Sequence, residues 1–286
     1  MNSKAFAIFV GAIMVLSAFA SFVLRGTDQS EISVEQSSSD SLKAFGMQGN
    51  LVDWNFDGIS DVLEMAPEST VMAYWVNLSA SQNLTNALKT ALPESLGLRY
   101  GSQLYSTNIE RLAGAEFNGT WTEFHWIKPY QINYNSLVIP YENYMMIPTG
   151  TDYVTVLGRP VLFGSQDGVQ QVIDVITGGE PANGFTLDDN DTADLQVVAL
   201  GSGGSGMPLS GVYRQFSLDM LVDNESAGSY SLQARLVQPA GNATERIADI
   251  ATKNNLSYSS QGSDLEISGH VADENLQNVL MALLGP

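Results

Sequence analysis

Cysteine is absent from all 286 residues. That excludes disulfides, thiolate nucleophiles, iron–sulfur clusters and attachment of a lipid through a cysteine. Histidine occurs only at His125 and His270, too few for a histidine-based zinc site. Bases are scarce as well: 12 Lys and Arg stand against 31 Asp and Glu, a net charge of −19. A chain this acidic repels nucleic acid and anionic headgroups and attracts cations, so neither DNA nor RNA is expected as a partner. The sequence also lacks G-x-S-x-G, H-E-x-x-H and the phosphate loop G-x4-G-K-[ST], which removes the local signatures of serine hydrolases, zinc proteases and P-loop enzymes. Paired carboxylates leave little local signature, so a secreted glycan-directed hydrolase stays open as a second reading.

What is present first is one long apolar run. Residues 5–24 (AFAIFVGAIMVLSAFASFVL) carry no charge and are bracketed by Lys4 and Arg25. Twenty residues at helical rise give about 30 Å, one crossing of a hydrocarbon core. Two export readings compete: a retained anchor, or a signal peptide cleaved after Ala18-Phe19-Ala20. Beyond Arg25 the next charges are Asp28, Glu31, Glu35 and Asp40. Basic residues stay on the cytoplasmic side, so the rest of the chain is expected outside, single-pass or secreted after cleavage near Ala20. Seven N-x-[ST] acceptors agree with that address: Asn77, Asn83, Asn118, Asn190, Asn224, Asn242 and Asn255. Such acceptors mark surface positions of exported chains.

The segment DWNFDGISDVLE, residues 53–64, matches D-x-[DN]-x-[DN]-G-x5-E. Calcium takes six to eight oxygens, and this spacing wraps a short peptide around one ion. Asp53, Asn55 and Asp57 would offer side-chain oxygens, Ile59 its carbonyl, Asp61 a direct or water-mediated ligand, and Glu64 both carboxylate oxygens. Gly58 stands where the loop must turn sharply. The segment resembles the calcium loops of EF-hands, dockerins and thrombospondin type 3 repeats, the last most closely through its D-G-x-x-D-x-x-E ending. The resemblance implies one structural calcium ion. The preceding KAFGMQGN makes a poor entering helix, Pro67 curtails the exiting one, and no second loop pairs with it, so a helix-opening sensor is not expected. Composition as a whole is similar to uncharacterised exported proteins of archaea, methanogens in particular.

Residues 26–41 (GTDQSEISVEQSSSDS) are Ser-rich and acidic, a tether. Periodicity then predicts strands over 71–78, 117–126, 136–147, 153–157, 160–163 and 195–200. Helices are expected over 81–90 and from Asp167, whose Val169, Val172, Ile173 and Ile176 recur at helical spacing. The second half repeats this order, with strands over 211–222 and 229–237, a helix over 243–253, a hairpin turning at Gly262-Ser263, and a last helix capped by Asp273. VQQVIDVITG (169–178) aligns without gaps to LQNVLMALLG (276–285). The expected fold class is therefore α+β: a membrane-spanning or signal helix (1–25), the tether (26–41), a first α+β unit with the calcium loop at its entry (42–200), a Gly/Ser linker (201–209) and a second α+β unit (210–286). Both units are expected to be antiparallel sheets with ferredoxin-like topology.

Three weaker signals are set aside. GSGGSG (201–206) fits the dinucleotide-binding spacing, but Met207-Pro208 and a strand follow where a helix is required. The aromatics from Phe117 to Tyr144 read first as core and second as a strip for sugar or peptide. Glu123 and His125 share a strand face by period two, and read as a surface pair or a hydrogen-bonded core histidine. The function expected is that of a non-enzymatic, calcium-stabilised envelope protein that binds a surface glycan or protein, or assembles at the surface. A third reading is an accessory subunit of a membrane complex held by residues 5–24.

Overall fold

The computed structural model describes residues 32–33, 49–92, 94–132, 138–187, 193–201, 209–223 and 228–285. The apolar run 5–24, the tether except Ile32–Ser33, Asn190, Asn224 and residues 202–208 of the linker lie outside the described residues. Among the described residues no helix is long and apolar enough to cross a membrane.

The fold is α+β, as expected. In chain order the elements are β1 (Ile32–Ser33), β2 (Val52–Asp53), α1 (Ile59–Met65), β3 (Thr70–Asn77), α2 (Gln82–Ala91), α3 (Leu96–Tyr105), β4 (Asn108–Phe117) and β5 (Thr120–Lys128). Then come β6 (Gln131–Ile132), β7 (Ile139–Tyr141), β8 (Tyr144–Thr149), β9 (Tyr153–Val156), β10 (Gly158–Arg159), β11 (Val161–Gly164), α4 (Gln166–Ile176) and β12 (Leu195–Leu200). The last are β13 (Gln215–Val222), β14 (Ser229–Val237), α5 (Ala243–Lys253), β15 (Ser257–Gln261), β16 (Asp264–Ala272) and α6 (Asp273–Leu283).

Twelve strands form one sheet in the order β15-β16-β14-β13-β12-β3-β4-β5-β11-β9-β8-β7, and every neighbouring pair in it is antiparallel. Two-residue ladders join β1 to β6 and β2 to β10. Strand β12, at the end of the expected first unit, pairs with β3 on one side and β13 on the other. The Gly/Ser segment thus connects two adjacent strands of a continuous sheet. Gly201 stands just beyond that ladder, where an added Cβ would lie 1.8 Å from the Tyr213 carbonyl oxygen. The element order of the second half, β-β-α-β-β-α, differs from the β-α-β-β-α-β of a ferredoxin-like unit. The ferredoxin-like expectation is corrected on that ground: its split pairing needs a helix between the first two strands, whereas β13 and β14 form a hairpin.

Alternation along the central strands sends side chains to opposite faces. Tyr74, Val76, Leu112, Val197, Leu218 and Leu232 bury one face under α2, α3, α5 and α6. Ala73, Trp75, Ala113, Phe124 and Val198 bury the other under α1 and α4. Beyond β13 that second face opens: Ser231, Gln233, His270, Ser257 and Ser259 are exposed on it. Two helix starts differ from expectation. Ser165, not Asp167, caps α4 by accepting from the Gly168 N–H. Ala272 stands at the cap position of α6, and Asp273 instead accepts a 2.7 Å bond from the Tyr230 hydroxyl.

Candidate functional site

The predicted calcium loop enters on β2, where Asp53 lies opposite Arg159 in a parallel ladder, and runs into α1, which begins at Ile59. The helix ends at Met65 and precedes Pro67. Asp53, Asn55, Asp57 and Glu64 are exposed, and Asp61 is half-buried. Four of the ligand candidates, Asp57, Ile59, Asp61 and Glu64, have internal partners. Asp61 accepts from the Asp57 N–H at 2.6 Å. Glu64 accepts from the Trp54 indole at 3.2 Å. Asp57 is paired with Arg111, which also donates to the Phe56 carbonyl at 2.8 Å and lies 4.4 Å from the Trp126 ring centroid. The Ile59 N–H donates to Gln196 at 2.9 Å, and its carbonyl belongs to the first turn of α1, where helical geometry directs it to the N–H four residues on. Among the described residues no group of three or more His, Cys, Asp or Glu side chains converges as for a metal ion.

Arg111 is the functional-looking residue the sequence did not single out. It sits on β4, 54 positions from Asp57, and it pins the loop by charge, hydrogen bond and ring contact together. The ion pair is mostly exposed on the Asp57 side, so its own worth is under about 1 kcal/mol.

A second cluster is buried. Glu123 and His125 on β5 do share a face, and they are 1% and 0% exposed; the hydrogen-bonded core histidine is the reading that holds. The His125 Nε2 and Glu123 Oε2 are 2.9 Å apart. Glu123 also accepts from the Gly97 N–H at 2.7 Å and from the Trp121 indole at 3.4 Å. On the far side of the ring, His125 Nδ1 lies 2.6 Å from the Tyr105 hydroxyl. All partners are satisfied when Tyr105 donates to Nδ1 and Nε2–H donates to the carboxylate. Burial, reinforced by the Glu123 charge, holds the Tyr105 phenol well above its ordinary range, which keeps it a donor. Nearby, Tyr74 donates to Ser95 at 2.8 Å, and Ser95 caps α3 through the Leu98 N–H.

Glycine makes this cluster possible. A Cβ on Gly97 would lie 2.7 Å from His125 Nε2 and 2.9 Å from Glu123 Oε2. The missing side chain brings the first turn of α3 onto the sheet, with its N–H groups and partial positive charge aimed at the carboxylate. Gly114 on β4 does the same between strands. Trp121 stacks on Tyr74 across it, with ring centroids 5.7 Å apart, in space a Cβ would enter at 2.3 Å from the Trp121 ring.

The aromatic strip is largely core: Phe117, Phe124 and Tyr144 are buried, while Trp121, Trp126, Tyr130 and Tyr141 are half-buried. His270, by contrast, is exposed on the open face. Among the acceptors, Asn83, Asn118, Asn242 and Asn255 are exposed. Asn118 forms the β4–β5 turn with Gly119 at φ of 50° and 71°, the left-handed pair that two-residue hairpins favour. Asn77 is half-buried and its carboxamide is committed, donating to Asp194 at 3.0 Å and accepting from the Ser79 N–H at 3.2 Å.

Residues 55–177, fewer than half of the chain, match the model of the AF_2048_N family N-terminal domain. No curated protein matches the sequence. Among solved structures, crystal forms III and I of TP0453 are similar, with TM-scores of 0.47 and 0.48 at 13% and 11% identity, over 77% of this chain and 98% and 97% of theirs.

Proposed function

We propose that the chain is a non-enzymatic cell-envelope protein, anchored by residues 5–24 or secreted after their cleavage, whose outer domain serves binding or assembly. One observation carries this reading. The outer half of the sheet presents a polar face (Ser231, Gln233, Ser268 and His270, with Ser257 and Ser259 beside them), while Leu232, Ala234, Leu236, Leu265 and Ile267 on its other face are buried in core. Such a surface suits a broad protein or glycan contact. The one Glu–His pair that spacing suggested for acid–base work, Glu123 and His125, is buried beneath α3.

Two finer readings accompany it. Asp53, Asn55, Asp57, Asp61 and Glu64, with the Ile59 carbonyl, take one structural calcium ion, which draws Asp57 from Arg111 and Glu64 from Trp54 on binding. The two halves of the sheet also descend from one duplicated α+β unit. What supports this is the strand order, in which β3-β4-β5-β11-β9 mirrors β12-β13-β14-β16-β15 about the β3–β12 pair.

The test uses intact cells. A membrane-impermeant amine reagent should label the chain without lysis, and labelling only after lysis would sink the exterior assignment. A photo-crosslinking residue at Gln233 should then capture a discrete partner that the same residue at Lys89, exposed on α2 of the opposite face, does not. Equal capture from both positions would retire the open face as the binding surface.

A further inference from the structure

The two ends of the sheet are unlike. At one end β7 carries Pro140, which has no N–H to offer, and its Tyr141 hydroxyl donates to Asp174 on α4 at 2.7 Å. At the other end β15 reads Ser-Tyr-Ser-Ser-Gln, and all five residues are exposed. Five residues make an edge of about 17 Å. An edge strand of this kind is a template for pairing with another chain, and proteins normally blunt it with lysine, proline, a bulge or a covering element. In β15 there is no charge and no proline, in a protein whose net charge is −19. Tyr258, 37% exposed, adds an apolar ring to it.

Immediately before the strand stands Asn255-Leu256-Ser257, an acceptor sequence whose third residue is the first residue of β15. Asn255 is exposed and holds φ at 55°, a conformation asparagine tolerates better than most residues. Its carboxamide makes no hydrogen bond among the described residues, in contrast to that of Asn77. Ser257 stands two positions on, a reach of at most about 7 Å. A bulky hydrophilic glycan on Asn255 would therefore stand at the mouth of the open edge.

We propose that Asn255 is glycosylated and that this glycan shields the β15 edge against strand-to-strand association with further copies of the chain. The inference rests on the exterior reading above, since only an exported chain meets the transfer machinery. It assigns to a covalent modification the work that charge or proline does on other edges.

The test begins with the full chain isolated from the cells that make it, with glycopeptide masses read at Asn83, Asn118, Asn242 and Asn255. Sugar at Asn255 is required. Sugar at Asn118 or Asn242 with none at Asn255 overturns this inference alone, whereas no sugar at any acceptor overturns it together with the glycoprotein reading. N255Q and S257A each remove the acceptor, and S257A leaves the left-handed Asn255 backbone untouched. Both should turn a monomer into species whose mass rises with concentration, and S257A/S259K should return to monomer because a lysine blocks the edge. Monomeric behaviour of the sugar-free S257A protein at every concentration tested would overturn the shielding role.

Discussion

Removing the Glu123 carboxylate should cost far more than the modest net value of a single hydrogen bond. Glu123→Leu leaves two wholly buried donors without an acceptor, the Gly97 N–H now 2.7 Å from the carboxylate and the His125 Nε2–H at 2.9 Å. Each orphaned buried donor costs about 1–3 kcal/mol, and the bonds lost here are to a charged acceptor, which are worth more than neutral ones. The expected loss is therefore about 4 kcal/mol, a large share of the roughly 5–15 kcal/mol that holds a domain folded. Urea unfolding followed by circular dichroism measures it. With a slope of about 3 kcal/mol/M the midpoint falls by more than about 1 M.

The companion variant His125→Phe leaves the carboxylate its Gly97 and Trp121 donors but strands the Tyr105 hydroxyl, at a cost of about 1–3 kcal/mol. The two changes together remove one orphan that the first creates, so the double variant should lose less than the sum by about 1–2 kcal/mol. Additivity within about 0.5 kcal/mol would refute the network, because it would mean that the two groups do not satisfy each other across 2.9 Å.

Three further outcomes are expected. Calorimetric titration of calcium into residues 27–286 should show one site at about 0.1–1 mM, lost in Asp57→Ala/Glu64→Ala and accompanied by a higher melting temperature; no heat up to several times that range would retire the ion. Gly114→Ala should destabilise by about 1–3 kcal/mol, because a Cβ would meet Trp121 at 2.3 Å and Tyr74 at 2.6 Å, and the near-ultraviolet signal of that stacked pair should change with it; a stability equal to the parent's would count against the close stack. The Arg235 guanidinium, bonded at 2.8 Å, holds the Asp264 carboxyl below its ordinary range. Since the folded value is the lower one, the stabilisation is present above the unfolded value near about 3.9 and is lost as pH falls through the folded one. The gap in melting temperature between the parent and Arg235→Met should accordingly be widest at neutral pH and shrink below about pH 4; a gap independent of pH would contradict the pairing.

Much of the fold was legible because period-two and helical apolar patterns are local. The strand predicted over 71–78 is β3 and the one over 229–237 is β14, while α2 and α5 follow the predicted helices closely. What escaped was α3 with β4 after it. LGLRYGSQLY carries Gly97 and Gly101, and each interior glycine costs a helix about 1 kcal/mol, so its propensity reads weak. The compensation is tertiary. Gly97 lets Glu123 reach a helix N–H, and an added Cβ on Gly101 would lie 2.7 Å from Ile109. The shared face of Glu123 and His125 could be read from spacing, but their burial could not, because the helix that seals them was not seen.

The same limit governs the calcium loop and the duplication. Spacing alone aligns the carboxylates of residues 53–64, yet the charge that meets Asp57 comes from Arg111 on β4, and no local pattern announces a partner 54 residues away. The ten-residue match between 169–178 and 276–285 likewise reads as a repeat, and the mirrored strand order supports one. The helices themselves part company: Val169, Val172 and Ile173 of α4 bury against Ala115 and Phe124, while Leu276, Val279 and Leu280 of α6 bury with Leu84 and Leu88 on the opposite face. An amphipathic stripe specifies that a helix must cover a sheet and leaves open which side. The choice of α4 covers the face that α1 and the loop also occupy, and α6 closes the core beneath α2. Among the described residues the face opposite α6 is thereby left uncovered beyond β13, and it is this asymmetry, not the helices' sequence likeness, that creates the surface on which the proposed function depends.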